Sequence, residues 1–321
     1  MKKFKCFKCS NRATVTLKYP RINLCTNHFN EFFIKRVKKT IEKYRMLNLS
    51  EKIGVAVSGG KDSVALLVVL TKILETDNIN CIHIDLGISD YSSKCRETVM
   101  KLCDELNISC KIVDLKKCYG FTLDDLVKRK IIKRAPCSIC GMIKRRVLND
   151  IGIEIGVDKI VTGHNLDDEV TFLLQNLVGG NIDLLIRSGP IIEKKYGKLI
   201  ARAKPLYEIS EYETLIYCKV NDLRYVEIEC PYAKSAPTIQ LKKKINEIEE
   251  IRPGFKLSLL KNFRRKILPL IIKSYKVKEE EVKFCKICGY PTTSEICAFC
   301  RLRMRVKNCL LYTSPSPRDR G

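Results

Sequence analysis

The sequence has no long hydrophobic run. Its longest apolar stretch, VALLVVL from Val64 to Leu70, is far too short to cross a bilayer, so no membrane span is expected. The N-terminus, MKKFKCFKCS, carries lysines with no apolar segment behind them, and no secretory signal is read there. No internal repeat is visible beyond a cysteine-rich module at each end. Negative charge is also scarce: 36 Asp and Glu face 60 Lys and Arg, a net charge of +24. A compact chain so unbalanced repels itself, and a polyanionic partner, nucleic acid first, is the natural counterpart. The plainer alternative is a basic protein of a salty or hot cytoplasm.

Cysteine, by contrast, is plentiful, with 17 in 321 residues. In a chain expected to be cytoplasmic, these are metal ligands or reactive thiols before they are disulfides. The length allows one large domain with small appendages, and 45% hydrophobic residues suffice for a packed core.

Periodicity divides the chain into six parts. Residues 1–29 form a cysteine-rich module. A linker helix over 30–50 follows, with Phe33, Val37, Ile41 and Tyr44 on one stripe. Residues 51–235 alternate strand and helix: an apolar run before SGGKDS, then INCIHIDLGI, SCKIVDL and DKIVTGH as strands, separated by helical patterns. Parallel strands need long crossovers, so this alternation predicts an α/β fold with a doubly wound parallel sheet. RYVEIECPYA reads as a further strand that then breaks. Residues 236–283 read as basic helices, 284–305 as a second cysteine module, and 306–321 as a tail. Its end, TSPSPRDRG from Thr313 to Gly321, cannot build a core and is read as a scar foreign to the fold.

The most specific motif is VAVSGGKDS. Ser58, Gly59, Gly60, Lys61, Asp62 and Ser63 lie between a strand and a helix. Glycines let backbone N–H groups approach a ligand, and a helix N-terminus favours anions. An ordinary strand-to-helix turn is the bland alternative, and two hydroxyls, two glycines and a lysine in six residues argue against it. The spacing is not that of the G-x-x-x-x-G-K-[ST] nucleotide loop. It resembles the SGGxDS signature of the PP-loop ATP pyrophosphatases. The resemblance implies ATP cleaved between its α- and β-phosphates, Mg²⁺ beside the phosphates, and an adenylated oxygen on the substrate. Asp85 closes the strand HID, and TGHNLDDE sets Gly163, His164, Asp167 and Asp168 past another strand. A similar GHNxDD stretch belongs to the nucleotide site of that superfamily, and Asp168 is favoured over Asp167 and His164.

The terminal modules read as zinc sites. Cys6, Cys9, Cys25 and His28 make one set; Cys285, Cys288, Cys297 and Cys300 make the other. Paired ligands joined by a loop close a tetrahedron and leave no open position, so both sites are expected to be structural. That leaves Cys137 and Cys140 of RAPCSICGMIKRR without partners. A redox pair is one reading. A metal site with a distant third ligand is another, and Cys230, followed by a proline, is the best candidate. Three thiolates suit a [4Fe–4S] cluster with one iron open to an exogenous sulfide. The remaining cysteines, Cys81, Cys103 and Cys110 among them, are read as small hydrophobes.

Zinc modules at both ends, SGGKDS, CSIC, GHNLDDE and a late Cys-Pro together resemble the tRNA 2-thiouridine synthetases. The resemblance runs to about Arg305. It implies a cluster on Cys137, Cys140 and Cys230, catalytic roles for Lys144 and Asp168, and ATP, Mg²⁺ and two Zn²⁺. It also implies tRNA as partner, a sulfur donor that is either free sulfide or a ubiquitin-like carrier, and a homodimer. The wobble uridine is the leading target. The basic helices around Lys242–Lys244 and Arg264–Lys266 are expected to track the tRNA backbone. Three alternatives stand: cytidine 2-thiolation, a cluster-free persulfide on Cys140 or Cys230, and a non-catalytic zinc-ribbon RNA-binding protein.

Overall fold

Six strands gather into one sheet, with small cysteine ribbons at the two ends of the chain. The computed structural model describes residues 4–48, 50–194, 198–233, 237–276 and 282–312. The tail from 313 onward and the boundary placed at 235–236 lie outside the described residues.

A hairpin of β1 (Val15–Leu17) and β2 (Ile22–Leu24) leads into α1 (Thr26–Lys43). Then follow β3 (Ile53–Ala56), α2 (Lys61–Leu70), β4 (Ile79–Asp85), α3 (Ser89–Leu106) and β5 (Cys110–Asp114). Short α4 (Leu115–Tyr119) and α5 (Leu123–Lys128) precede α6 (Pro136–Glu154), β6 (Lys159–Thr162), α7 (Leu166–Val178) and α8 (Ile182–Arg187). Next come β7 (Ile191–Ile192), β8 (Ala201–Ala203), α9 (Glu211–Val220), α10 (Pro237–Ile251), α11 (Phe255–Asn262) and α12 (Leu268–Ser274). The C-terminal ribbon is β9 (Lys283–Phe284), β10 (Pro291–Thr292) and α13 (Ala298–Tyr312), whose helix runs past residue 305.

The strand order is β5-β4-β3-β6-β8-β7. From β3 the chain winds outward through β4 to β5, then returns to β6 on the other side of β3. This reversal opens a crevice at the carboxyl ends of β3 and β6, the usual ligand position in such sheets. The expected parallel sheet holds from β5 to β8; β7 runs antiparallel to β8. The connection between β7 and β8 is too short for a crossover, so an antiparallel return is the open route.

Helix α2 explains its own position. Ser63 through Leu70 are all buried, so it is apolar all round and must sit under other helices. It packs against α3 and α9, and α1 packs on α9 in the same core, which includes Phe29, Phe33, Val37 and Tyr217. A second core on the α6 side joins Ile82, Ile143, Val147 and Ile160 to Phe299 and Leu302 of the C-terminal ribbon.

Two expected elements differ. RYVEIECPYA forms no sheet strand; it crosses the strand ends, where Val226 N–H donates to the Gly59 carbonyl at 2.9 Å. The last basic helix is broken into α11, a π-turn over 263–267, and α12, which has Pro269 in its first turn. Proline lacks the N–H that an uninterrupted helix requires, and the widened turn absorbs the defect.

Candidate active site

The SGGKDS segment leaves β3 and enters α2 at the crevice. Gly59 adopts φ +88°, and a Cβ there would come within 3.0 Å of the Cys95 backbone. Gly163, at the exit of β6, is equally constrained: its Cβ would lie 3.1 Å from the Asp62 and Ser63 backbone. The two loops meet backbone to backbone, and side chains are kept out of the space between. Ser63 braces the turn, its hydroxyl accepting from Ser58 N–H at 3.1 Å and donating to the Gly60 carbonyl at 2.9 Å. Gly60 caps α2 without a side chain, so the first N–H groups of the helix stay available to an anion.

Charged groups ring this loop. Lys61 pairs with Asp62 and with Glu211 at the start of α9. Lys242 bridges Asp168 at 2.8 Å and Glu211 at 2.7 Å. Burial pushes the Glu211 carboxyl up, but Lys242 and Lys61 outweigh it and hold it at about 2. Burial wins at Asp62 and raises its carboxyl despite Lys61. Both lysines are thus held in place beside the anion loop by carboxylates. Lys242, expected on a solvated or RNA-tracking helix face, is engaged by two carboxylates at the anion loop. Arg264 also turns inward, donating to the Ser188 carbonyl at 3.3 Å.

The GHNLDDE residues divide their work. Asn165 caps α7, and Asp168 completes the capping box by accepting from Asn165 N–H at 3.2 Å. Asp167 is buried against Lys256 at 2.6 Å and accepts from Glu211 N–H, a framework role. His164 stands exposed at the crevice mouth, bonded to Thr162 at 2.8 Å; desolvation by the surrounding walls and the charge of Lys204 push its imidazole toward the neutral form. Asp85 accepts from Gly87 N–H at 2.9 Å and so shapes the turn after β4.

Beside the loop lies a cavity of about 80 Å³ lined by Val57, Ser58, His83, Tyr91, Cys95 and Lys144. Lys144 projects from α6, one turn past Cys140. Pro136 opens that helix, so Cys137 lies in its first turn and Cys140 at the start of its second. Cys137 donates to the Tyr232 carbonyl at 3.3 Å, which brings the 230–232 turn alongside although 95 residues separate the two. Tyr232 is itself anchored by Asp124 at 2.7 Å. Burial pushes the Cys137 and Cys140 thiols up; the charge of Cys230 adds to this and Lys144 opposes it. The three sulfurs and the lysine thus share one electrostatic neighbourhood. Among the described residues the three do not form a set with all ligand atoms within 4.8 Å, as a single ion requires. A four-iron cube is wider than one ion, and the donor set of three soft thiols with an open side suits it.

The terminal knots are tighter. Cys6, Cys9, Cys25 and His28, and likewise Cys285, Cys288, Cys297 and Cys300, each gather their ligand atoms within 4.8 Å. Burial raises Cys6 and Cys285, but backbone hydrogen bonds outweigh it and bring each to about 6. One thiol in each knot is thus favoured as thiolate, while Cys9, Cys297 and Cys300 are raised, the last two by burial and by the neighbouring thiols. Four N/S ligands gathered this closely suit Zn²⁺ in a closed tetrahedron. A third set of this tightness, Cys81, Cys103 and Cys110, lies in the core beneath β4 and β5. Its members were read singly from the sequence, because nothing in their spacing announces that β4, α3 and β5 bring them together. Sequence reasoning also missed Glu211, Lys256 and Thr214, whose hydroxyl donates to the Asp62 carboxylate. Only the capping box SEYE at Ser210–Glu213 hinted that a helix would start at Glu211.

An anion loop at a sheet's switch point, cross-braced by lysine–carboxylate pairs, defines an α/β nucleotide-binding protein of the PP-loop class. The PP-loop domain family matches residues 29–235, and the RecR zinc-finger domain family, whose finger is built on four cysteines, matches 282–301. The tRNA-5-methyluridine(54) 2-sulfurtransferase of Pyrococcus horikoshii is 42% identical over 297 residues, 92% of this chain and 93% of that protein. The Thermus thermophilus protein of the same description is 39% identical, over 92% and 90% of the two chains. Among solved structures, the U34-tRNA thiolase NcsA of Methanococcus maripaludis with its [4Fe-4S] cluster superposes with a TM-score of 0.78 at 29% identity. The match covers 95% of this chain and 97% of that one. The chain belongs to the PP-loop family of tRNA 2-thiolation sulfurtransferases. Among the described residues no helix is long and apolar enough to cross a membrane.

Proposed function

We propose that the chain replaces the 2-oxygen of a tRNA uridine by sulfur at the expense of ATP. The observation that carries this is the position of Lys144: it lines the cavity beside the anion loop together with Ser58, and its charge acts on both Cys137 and Cys140. The uridine O2 attacks the α-phosphorus of ATP and pyrophosphate leaves. Sulfide then adds at C2, and AMP departs with the original oxygen. Electrons and atoms balance without an external oxidant.

Each residue has a place in this scheme. The N–H groups from Ser58 to Ser63 and the start of α2 hold the phosphates, and Lys61 and Lys242 offset their charge. Asp62 and Asp168 offer oxygens for Mg²⁺. Lys144 steadies charge that develops between α-phosphate and base. Cys137, Cys140 and Cys230 hold a [4Fe–4S] cluster, which supplies an iron free of protein ligands for presenting inorganic sulfide. Two Zn²⁺ close the terminal knots. The sulfur donor is sulfide or a carrier thiocarboxylate, and the working unit is a homodimer.

The relatives of highest identity reported above act on 5-methyluridine at position 54, which favours that target over the expected wobble uridine. The wobble reading is kept by the likeness to the U34 thiolase. The test is to incubate anaerobically purified protein with tRNA, ATP, Mg²⁺ and sulfide, then to identify the sulfur-bearing nucleoside by mass. Sulfur at uridine 54 is the expected product. Sulfur at cytidine, or no tRNA-dependent conversion of ATP to AMP, overturns the proposal. A protein free of iron and acid-labile sulfide yet fully active favours the persulfide alternative.

A further inference from the structure

Helix α6 has two working flanks. Lys144 faces the cleft just described; its neighbour Arg145 faces a second cavity of about 370 Å³, enclosed by α6, the β7–β8 pair and the C-terminal ribbon. That volume lies in the range of roughly 300–1,000 Å³ typical of ligand sites. Arg145, Arg146, Arg202, Tyr290 and Phe299 line it, and among the described residues no carboxylate does.

The three arginines are not equivalent. Arg146 is satisfied: it pairs with Asp150 at 2.8 Å, donates to Cys288 Sγ at 3.3 Å, and stacks 4.2 Å from the Tyr290 ring centre. It pins the ribbon to α6. Arg202 donates to the backbone carbonyl of Arg145 at 2.8 Å. Among the described residues, neither Arg202 nor Arg145 has a carboxylate partner. Burial holds the Arg202 guanidinium below its ordinary value, and the charge of Arg145 adds to that. Two cations placed together, one of them largely desolvated, cost free energy that an anion in the cavity would offset.

The cavity walls select the anion. Guanidinium forks match phosphate oxygens two at a time, and aromatic walls accept a base or ribose face. We propose that this cavity holds one phosphodiester unit of the RNA substrate, with Arg145 and Arg202 on the phosphate and Tyr290 and Phe299 walling its nucleoside. This rests on tRNA being the substrate. The site lies on the flank of α6 next to Lys144, so it fixes the register in which the RNA passes the reaction cleft. It gives the ribbon a task beyond closing around zinc.

The test measures the Kd of unmodified tRNA for the full chain across a salt series. Arg145→Glu and Arg202→Gln are compared with Lys39→Glu, an exposed lysine on α1 whose reversal changes net charge as much as Arg145→Glu does. Arg145 is exposed, and its replacement leaves the backbone carbonyl that Arg202 uses, so this variant is expected to fold. Each pocket variant should weaken binding about tenfold and lower the slope of log Kd against log salt by roughly 1. Zinc content and ATP affinity should not move. An equal loss in Lys39→Glu, or wild-type Kd and slope in both pocket variants, overturns the pocket. Failure of the wild type to bind tRNA at all would instead remove the functional reading beneath it.

Discussion

The terminal knots and the central thiol group use the same side chain to opposite ends. Each knot draws four ligand atoms within 4.8 Å, and the C-terminal one buries three of its four cysteines. The central group has three sulfurs, spread more widely, with Cys137 exposed. Closure is the difference that matters. A full tetrahedron holds its ion and the chain around it, whereas an incomplete set beside a cleft keeps a coordination position for chemistry. The same contrast recurs among the charges. Lys256 and Asp167 form a closed, buried pair, while Lys61, Lys242, Glu211 and Asp168 form a network that opens onto the anion loop.

The largest effect should come from opening the contrast at its central member. Cys137→Ala is expected to abolish tRNA thiolation while leaving zinc content and the thermal midpoint as in the wild type. Retained thiolation would remove Cys137 from the chemistry, and lost zinc would show that the groups are not separate. Cys297→Ser should do the reverse. It should release the C-terminal zinc and destabilise the ribbon by several kcal/mol, on the order of 2–5, read as zinc content and thermal midpoint. Arg146 ties that ribbon to α6, so RNA affinity should fall with it. A ribbon variant without zinc that keeps full stability would show the knot to be ornamental.

The buried pair gives the next test. Lys256→Met strands Asp167 in the core beside α7, with Glu211 N–H as its remaining donor. Breaking a buried pair by removing one partner costs about 3–5 kcal/mol. The cost should shrink in the double variant with Asp167→Asn, because no charge is then left behind. A denaturant midpoint equal to the wild type would mean that the pair is worth nothing to the fold.

Much of this arrangement was legible beforehand, for reasons that separate local signals from distant ones. SGGKDS, the two knots and the alternating strands are local patterns, each complete within a few dozen residues. Cys230 was reachable only by elimination and family resemblance, since its approach to Cys137 depends on a turn held by Tyr232 and Asp124. The ion pairs of Lys242 were not foreseen because its spacing is that of a solvated helix face. Nothing local says that α10 lies over the strand ends and turns this lysine toward Asp168. Glu211, Lys256 and Arg202 were missed for the same reason: the partners described above lie from 31 to 150 residues away and become neighbours only through the fold.

The open network can be tested by its response to acid. Glu211 is held at about 2, below its ordinary value of 4.5, by Lys242 and Lys61 against the opposing pull of burial. A depressed carboxyl contributes stability that is complete above its unfolded value and is lost as pH falls through the folded one. The wild type should therefore lose this contribution between about pH 4.5 and pH 2. Glu211→Gln has no such term, so its deficit relative to the wild type should be largest near neutrality and close as acid is added. Loss of zinc at low pH is common to both proteins and cancels in the difference. Thermal midpoints taken in parallel down the acid range measure it. A deficit that stays constant with pH would show that Glu211 serves the fold through its shape, and that the lysines of the anion loop are not held by its charge.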